Sequence, residues 1–362
     1  MEKLPRKQQQ IFERLDAFRL LTSIYPDEPA VRKQYADMLH KAYCAFDDVK
    51  FRYVLEPEQR AQILQTFSGF AEKHSQDNLL QARLLETLAE AVAHETDLRG
   101  LKLLIRTAHS VMQRGGKNLR VRKMYTGVLA ATFSSPALKA HRQAHFKLLD
   151  ELRSFAEAHF IDEFTWNEFA RQLANVTIDE RFKDNLIQRD KMLIELRVLS
   201  DRYPAYRKVR ASLAFALAHA DREENLMRRD AMIHELMTLV KKNPQDDEIF
   251  EHFLKTLSTT IQKELSINRQ DMILDIFRDL VQRHAELRPR EVFGFALIYA
   301  IGDAEKKGLR RRRDRLLEEF RLLEKKHPYH IRLKEMIQHS GLEPARFHFL
   351  QEPAPEAVEK KE

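Results

Sequence analysis

The chain has 362 residues, of which 32% are charged against roughly 25% in an average globular protein, and only nine are glycine. Loops that cradle phosphate need glycine where backbone approaches ligand, so this composition argues against a nucleotide enzyme, while the charged excess favours an elongated architecture with much surface for its volume. A formal net charge of +7 sets the sign of a partner without naming one.

Residues 1–10 are charged and polar with no apolar stretch behind them, so they read as an N-terminal extension without a secretory leader. From residue 11 onward strand alternation and Asn-Gly or Asp-Gly hairpin signals are missing, and Leu, Ala, Arg, Lys, Glu and Gln dominate, so the chain reads as all-α. Apolar residues recur at three and four, as in Val209, Leu213 and Leu217, and the runs stop at Tyr25-Pro26, Tyr203-Pro204, Asn243-Pro244 and His327-Pro328.

Taking Pro26, Ser75, Gly116, Phe160, Pro204, Pro244, Ala285 and Pro328 as equivalent anchors gives a repeat of about 43 residues. Eight residues before the anchor stand Phe18, Phe67, Ala108, Leu152, Leu196, Leu236, Phe277 and Phe320, and the column five before is equally apolar. Nine after the anchor stand Tyr35, Leu84, Tyr125, Phe169, Leu213 and Phe253; thirteen after stand Leu39, Leu88, Leu129, Leu173, Leu217 and Leu257. In the seventh unit the pattern slips by one, to Phe295 and Tyr299. Each unit therefore reads as helix, short loop, helix. Two amphipathic helices cannot bury their apolar faces alone, so neighbouring units must stack into a single array over residues 11–350. Met336, Ile337 and Gly341 fit the columns poorly and read as a terminal cap, and the Pro-containing tail 351–362 reads as disordered.

Helix ends such as Leu199-Ser200-Asp201-Arg202-Tyr203-Pro204 and Leu239-Val240-Lys241-Lys242-Asn243-Pro244, each followed by a small-residue helix like Leu213-Ala214-Phe215-Ala216-Leu217-Ala218, resemble tetratricopeptide-like (TPR-like) repeats. The resemblance covers roughly residues 10 to 340 and implies a right-handed α-solenoid of about eight two-helix units, with the opening helices lining a concave groove. The period exceeds that family's 34 residues and its Trp, Leu-Gly, Tyr signature is missing; a HEAT-type array has a similar period and stays open.

Catalytic spacings are missing: no P-loop, no Gly-x-Ser-x-Gly elbow, no His-Glu-x-x-His pair and no cysteine cluster, so neither enzyme activity nor a cofactor or metal is expected. His141 and His145 are four apart, but their segment is basic, which repels a cation; His327 and His330 read as solvated turn residues. The single cysteine, Cys44, reads as a core residue in a reducing, cytoplasmic compartment, and the longest apolar run, residues 292–301, is far short of the roughly 20 that a membrane span needs.

Two repeat-linked features remain. Fourteen residues before the anchor stand Asp190, Asp230, Asp271 and Asp314, read as carboxylates capping helix starts. Arg189, Arg229 and Arg313 precede three of them, and Arg310, Arg311 and Arg312 extend the last; stacked, they would form a basic ridge able to neutralise a nucleic-acid backbone, balanced by acids such as Asp221, Glu223, Glu224 and Asp303. On the opening helices, offsets four, seven and eleven lie opposite the core offsets. They read Arg120, Lys123 and Gly127 in unit three, Phe164, Asn167 and Arg171 in unit four, and Lys208, Ala211 and Phe215 in unit five. Unit two offers Leu79, Ala82 and Glu86, and unit six Glu248, Glu251 and Lys255. Arg and Lys pair with carboxylates and Asn can bond an extended backbone, so the expected function is a non-enzymatic scaffold or adaptor holding an acidic protein segment along Arg120, Lys123, Asn167, Arg171, Lys208 and Phe215. RNA binding along the arginine ridge is the alternative.

Overall fold

The computed structural model describes residues 6–44, 56–139, 141–182, 185–219, 225–283 and 287–326. The anchors Ala285 and Pro328, the cap around Met336, the histidines His327 and His330, the acids Asp221, Glu223 and Glu224, and the tail from residue 351 lie outside the described residues. Among the described residues there is helix and no strand.

The chain falls into two compact parts, divided between Val209 and Arg210. In the first part the helices are α1 (Arg6–Ile24), α2 (Pro29–Cys44), α3 (Pro57–Lys73), α4 (Asn78–His94), α5 (Leu98–Gly115), α6 (Leu119–Ser134), the short α7 (Pro136–Lys139), α8 (Arg142–Ala158), α9 (Glu163–Ile178) and α10 (Leu186–Arg202). They form two layers. One is α2, α4, α6 and α9, each packed on the next; the other is α1, α3, α5, α8 and α10, where α3 leans on α2 and α4, and α5 on α4 and α6. Helix α11 (Arg207–Ala218) crosses the division, and the second part continues with α12 (Leu226–Lys242), α13 (Asp247–Lys263), α14 (Ile267–Arg283), α15 (Leu287–Lys306) and α16 (Arg310–Lys326). There α13 packs on α15, and α14 leans on both.

Local chemistry explains why these helices begin and end where they do. Every described anchor falls in the loop between a closing and an opening helix. In five of these loops the N–H just before the anchor bonds back to the carbonyl four residues earlier, as Tyr25 to Leu21, His74 to Phe70, His159 to Phe155, Tyr203 to Leu199 and Asn243 to Leu239. The N–H two residues past the anchor then closes a tight turn, as Asp77 to His74, Asn118 to Gly115, Asp162 to His159, Tyr206 to Tyr203 and Asp246 to Asn243. That same residue is the N-cap of the next helix at Asp77, Asn118, Asp162 and Asp246; Asp77 and Asn118 accept two orphan N–H groups each. Nineteen residues before the anchor, the N-caps of the other layer recur at Glu56, Asp97, His141, Asn185 and Asn225.

The columns eight before, nine after and thirteen after the anchor supply most of the core, whereas five before the anchor Leu21 is exposed and Phe70 and Phe155 are half-buried. Phe67, Leu152, Leu196, Leu236, Phe277, Leu84, Phe169, Phe253, Leu129, Leu173 and Leu257 are all fully buried. Truncating one such leucine to alanine costs on the order of 3 kcal/mol, transfer and cavity terms together. The slip expected in the seventh unit does not occur. Gly294 and Ile298, at the unslipped offsets, are buried, whereas Tyr299 is 36% exposed and Phe295 only half-buried. A glycine in an apolar column gives no sequence signal, which is why the neighbouring aromatics drew the register off by one.

Ion pairs between residues about 40 apart in sequence tie neighbouring helices together. Six residues past the anchor, Arg32, Arg122 and Arg210 reach the aspartate N-caps Asp77, Asp162 and Asp246 of α4, α9 and α13 respectively. Arg32 and Arg122 also donate to the carbonyls of their own anchors, Pro26 and Gly116, and Trp166 at the equivalent position donates its indole N–H to the Phe160 carbonyl. Hydrogen bonds from Arg122 to Asp162 raise the already high pKa of this guanidinium. In the other layer, Arg153 holds both Asp150 and Glu195, and Arg278 holds Asp275 and Glu319 in the same arrangement.

Candidate binding face

Four of the six arginines expected on a ridge find partners within the protein. Arg229 is 7% exposed and its guanidinium pairs with the buried carboxylate of Glu264. Arg189 donates through Nε to the Thr177 carbonyl at 2.9 Å, satisfying the end of α9. Arg312 pairs with Asp271 at 2.8 Å and donates to Gln270, and Arg313 pairs with Asp314 at 2.6 Å and sits 4.0 Å from Glu305. Only Arg310 and Arg311 of this set stand exposed. The physical reason is that a desolvated guanidinium finds a carboxylate or an orphan helix-end carbonyl within reach of a neighbouring helix, and such a charge-assisted bond outcompetes the solvated position.

The four aspartates do not cap helices either. Helices α10 and α12 begin a turn earlier, on Asn185 and Asn225, whose side chains accept from the N–H groups of Gln188 and Arg228. Asp230 and Asp271 instead pair with Arg269 of α14 and Arg312 of α16. Asp314 is the fifth residue of α16.

The opening helices hold the other predicted residues. On α6, Arg120 and Lys123 are exposed; on α9, Arg171 is exposed and paired with Glu168 through two nitrogens, at 2.6 and 3.0 Å. Asn167 donates to Glu163 at 3.3 Å, while its Oδ1 is buried and accepts nothing among the described residues. Lys208 is exposed on the first turn of α11, and Phe215 is half-buried, edge-on to His219 and His252 with ring centroids 4.8 and 5.5 Å away. The expected face is not solvated throughout: Ala82 and Ala211, both at offset seven, are buried. Helix α4 is flanked by α2 and α6, which leaves little of its circumference open.

Two polar cavities open on these helices in the first part. One, of about 160 Å³, is lined by Lys33 and Asp37 of α2, the cap Asp77 with Leu79, Leu80 and Arg83 of α4, and Arg120 of α6. Arg83 is balanced by Asp37 at 2.7 Å and Glu86 at 2.6 Å, and Asp77 by Arg32 at 3.1 Å, so Lys33 and Arg120 supply the surplus positive charge. The other, of about 180 Å³, is lined by Lys139, His145, Arg171, Gln172, Asn175, Asp179 and Arg181, with Phe133 and Ser134. Burial alone would raise the Asp179 carboxyl, but hydrogen bonds and charge from Arg181 outweigh it and hold the group below its usual range. Burial, reinforced by the Arg181 charge, pushes the His145 imidazole down to about 4, so it is neutral at physiological pH.

The structure thus gathers Arg120 with Lys33 and Arg83, and Arg171 with Lys139 and Arg181. Lys33 and Asp37 sit at offsets seven and eleven of unit one, where the face pattern extended one unit further would have found them. Lys139 and Arg181 come from the short α7 and from a 3₁₀ turn at Glu180–Phe182, outside any helical period. His141 and His145 do not form a pair of ligands: His145 is buried against Phe133, with ring centroids 4.9 Å apart, and His141 is an exposed N-cap. Among the described residues no three His, Cys, Asp or Glu side chains gather as a metal site. Cys44 is half-buried, with Sγ 3.6 Å from His40 Nδ1.

Fold and face together define an all-α, multi-helix protein built from paired helices in layers, with cation-rich cavities on its opening helices. No protein-family profile matches the chain, and no curated protein matches it. No described helix is long and apolar enough to cross a membrane.

Proposed function

We propose that the chain is a TPR-like α-solenoid of about eight two-helix repeats that serves as a non-enzymatic cytoplasmic scaffold, holding an acidic protein segment along its opening helices. The observation that carries this reading is the pair of cavities on α2, α4, α6 and α9, each lined by three Lys or Arg against fewer carboxylates. An extended acidic segment would set carboxylates against Lys33 and Arg120, and further along against Lys139 and Arg171, with Lys123 beside the path. The recurring turn, the caps at fixed offsets and the Arg–Asp ties one unit apart support the repeat reading on which this rests.

Affinity purification from the native cells, with and without nuclease, tests the proposal. A defined protein partner should persist after nuclease treatment and be lost on combining Lys123→Glu with Arg171→Glu. Unaltered recovery of every partner by that double variant, or recovery of RNA with loss of all protein partners after nuclease, would overturn it.

A further inference from the structure

The second part contains a cavity of different chemistry. It lies among α12, α13 and α14, has a volume of about 320 Å³, and is walled by Ile233 and Met237, by Met272, Ile273 and Ile276, and by Thr260. Asp230, His234 and Arg269 complete its lining. Ligand sites are typically concave, mostly apolar and of some 300 Å³ or more, with a few polar groups that orient the guest.

Two features define what would fit. The first is charge: the Asp230 carboxylate and the Arg269 guanidinium are paired to each other, and Arg269 also binds Glu264 at 2.8 Å, so the carboxylate and guanidinium of the lining compensate one another. A neutral guest is favoured, because an ion would be desolvated without a counter-charge. The second is Thr260. Helical threonines in this chain return their hydroxyls to a carbonyl one turn back, as Thr87, Thr126, Thr132, Thr177, Thr238 and Thr256 do. Thr260 is 1% exposed and its hydroxyl makes no hydrogen bond within the described residues, although it lines the cavity. A buried hydroxyl without a partner is costly and marks a place where a group from outside the chain completes the bonding.

Size narrows the class further. An apolar protein cavity of roughly 150 Å³ holds one benzene ring, so a cavity about twice as large accommodates two fused rings or a comparable aliphatic body. We propose that this cavity is a binding site for a neutral, two-ring-sized apolar molecule bearing one hydroxyl or carbonyl that bonds to Thr260. Its flexible Met237 and Met272 walls suit a guest of irregular outline.

The test uses the full chain with ¹³C-labelled methionine methyl groups, titrated with 2-naphthol and, separately, with naphthalene. Saturable shifts at Met237 and Met272, with the other eight methionines unmoved, are the expected result. Thr260→Val, isosteric and without the hydroxyl, should weaken 2-naphthol about fivefold, the worth of one hydrogen bond, and leave naphthalene unchanged. Ile276→Trp should fill the cavity and abolish both titrations; because the shifts are mapped on the wild-type chain, a misfolded Ile276→Trp leaves the test intact. The proposal is overturned if Met237 and Met272 stay unmoved to the solubility limit, or if Thr260→Val affects the two probes equally.

Discussion

Acidification should weaken this protein through one imidazole whose surroundings are fixed by three elements. His145 of α8 is 4% exposed, lies edge-on to Phe133 of α6, and faces Arg181 and Asp179 from the turn after α9. Burial and the Arg181 charge push it down from 6.5 to about 4. Between those values the unfolded chain binds a proton that the folded chain refuses, so stability is highest above pH 6.5, falls through that window, and levels off below about 4. The full span is worth about 3 kcal/mol, and at pH 5.5 about 1.4 kcal/mol has been lost. The assay is urea unfolding at pH 7.5, 5.5 and 4.0 for the wild type and His145→Leu. Burial also lowers His40, His74, His159 and His252, but these are common to both proteins and cancel in the difference. The variant should lose the wild type's extra acid sensitivity. A wild-type-minus-variant difference that stays constant from pH 7.5 to 4.0 would refute the reasoning, as would an imidazole titration of His145 with its midpoint near 6.5.

Other expectations follow from single contacts. Arg122→Met strands Asp162, which is 5% exposed, and should cost roughly 3 kcal/mol in chemical denaturation, whereas Arg19→Met, breaking a pair whose partners are both 69% exposed, should change stability by less than about 0.5 kcal/mol. Gly308 ends α15 with φ +69°, where the Leu309 N–H reaches the Ala304 carbonyl; Gly308→Ala should cost about 1 kcal/mol, read as a lowered unfolding midpoint. Arg229→Met removes one of two arginines on Glu264 and leaves Arg269 in place, so its cost should fall short of that of Glu264→Leu, which strands the buried Arg229 and leaves Arg269 with Asp230 alone. If Arg229→Met proves the more costly, the buried network is apportioned wrongly.

Much of the helical scaffold was legible in the sequence because it depends on short-range rules repeated along the chain. The columns at eight before and thirteen after the anchor mark buried positions such as Leu152 and Leu173, since helical periodicity and burial are coupled through one amphipathic face. Loop positions were legible for the same reason: the turn residues and caps act within a few residues of themselves. The fate of the arginines was not legible. Arg122, Arg229 and Arg312 look alike on paper, and only the packing of one helix beside another about forty residues away puts Asp162, Glu264 or Asp271 within reach. A long flexible cation takes the best partner that tertiary structure offers, so of the arginines read as a ridge Arg189, Arg229, Arg312 and Arg313 are paired or bonded and Arg310 and Arg311 stand exposed. The two cation-rich cavities and the apolar one around Thr260 are likewise products of helix spacing, each joining residues from three or more elements; the Lys33 and Arg120 cavity keeps the face offsets of the opening helices, whereas Lys139 and Arg181 lie outside any helical period. Local sequence thus determined the elements and their apolar faces; the distances between the helices decided which charges are paired inside the protein and which stay exposed.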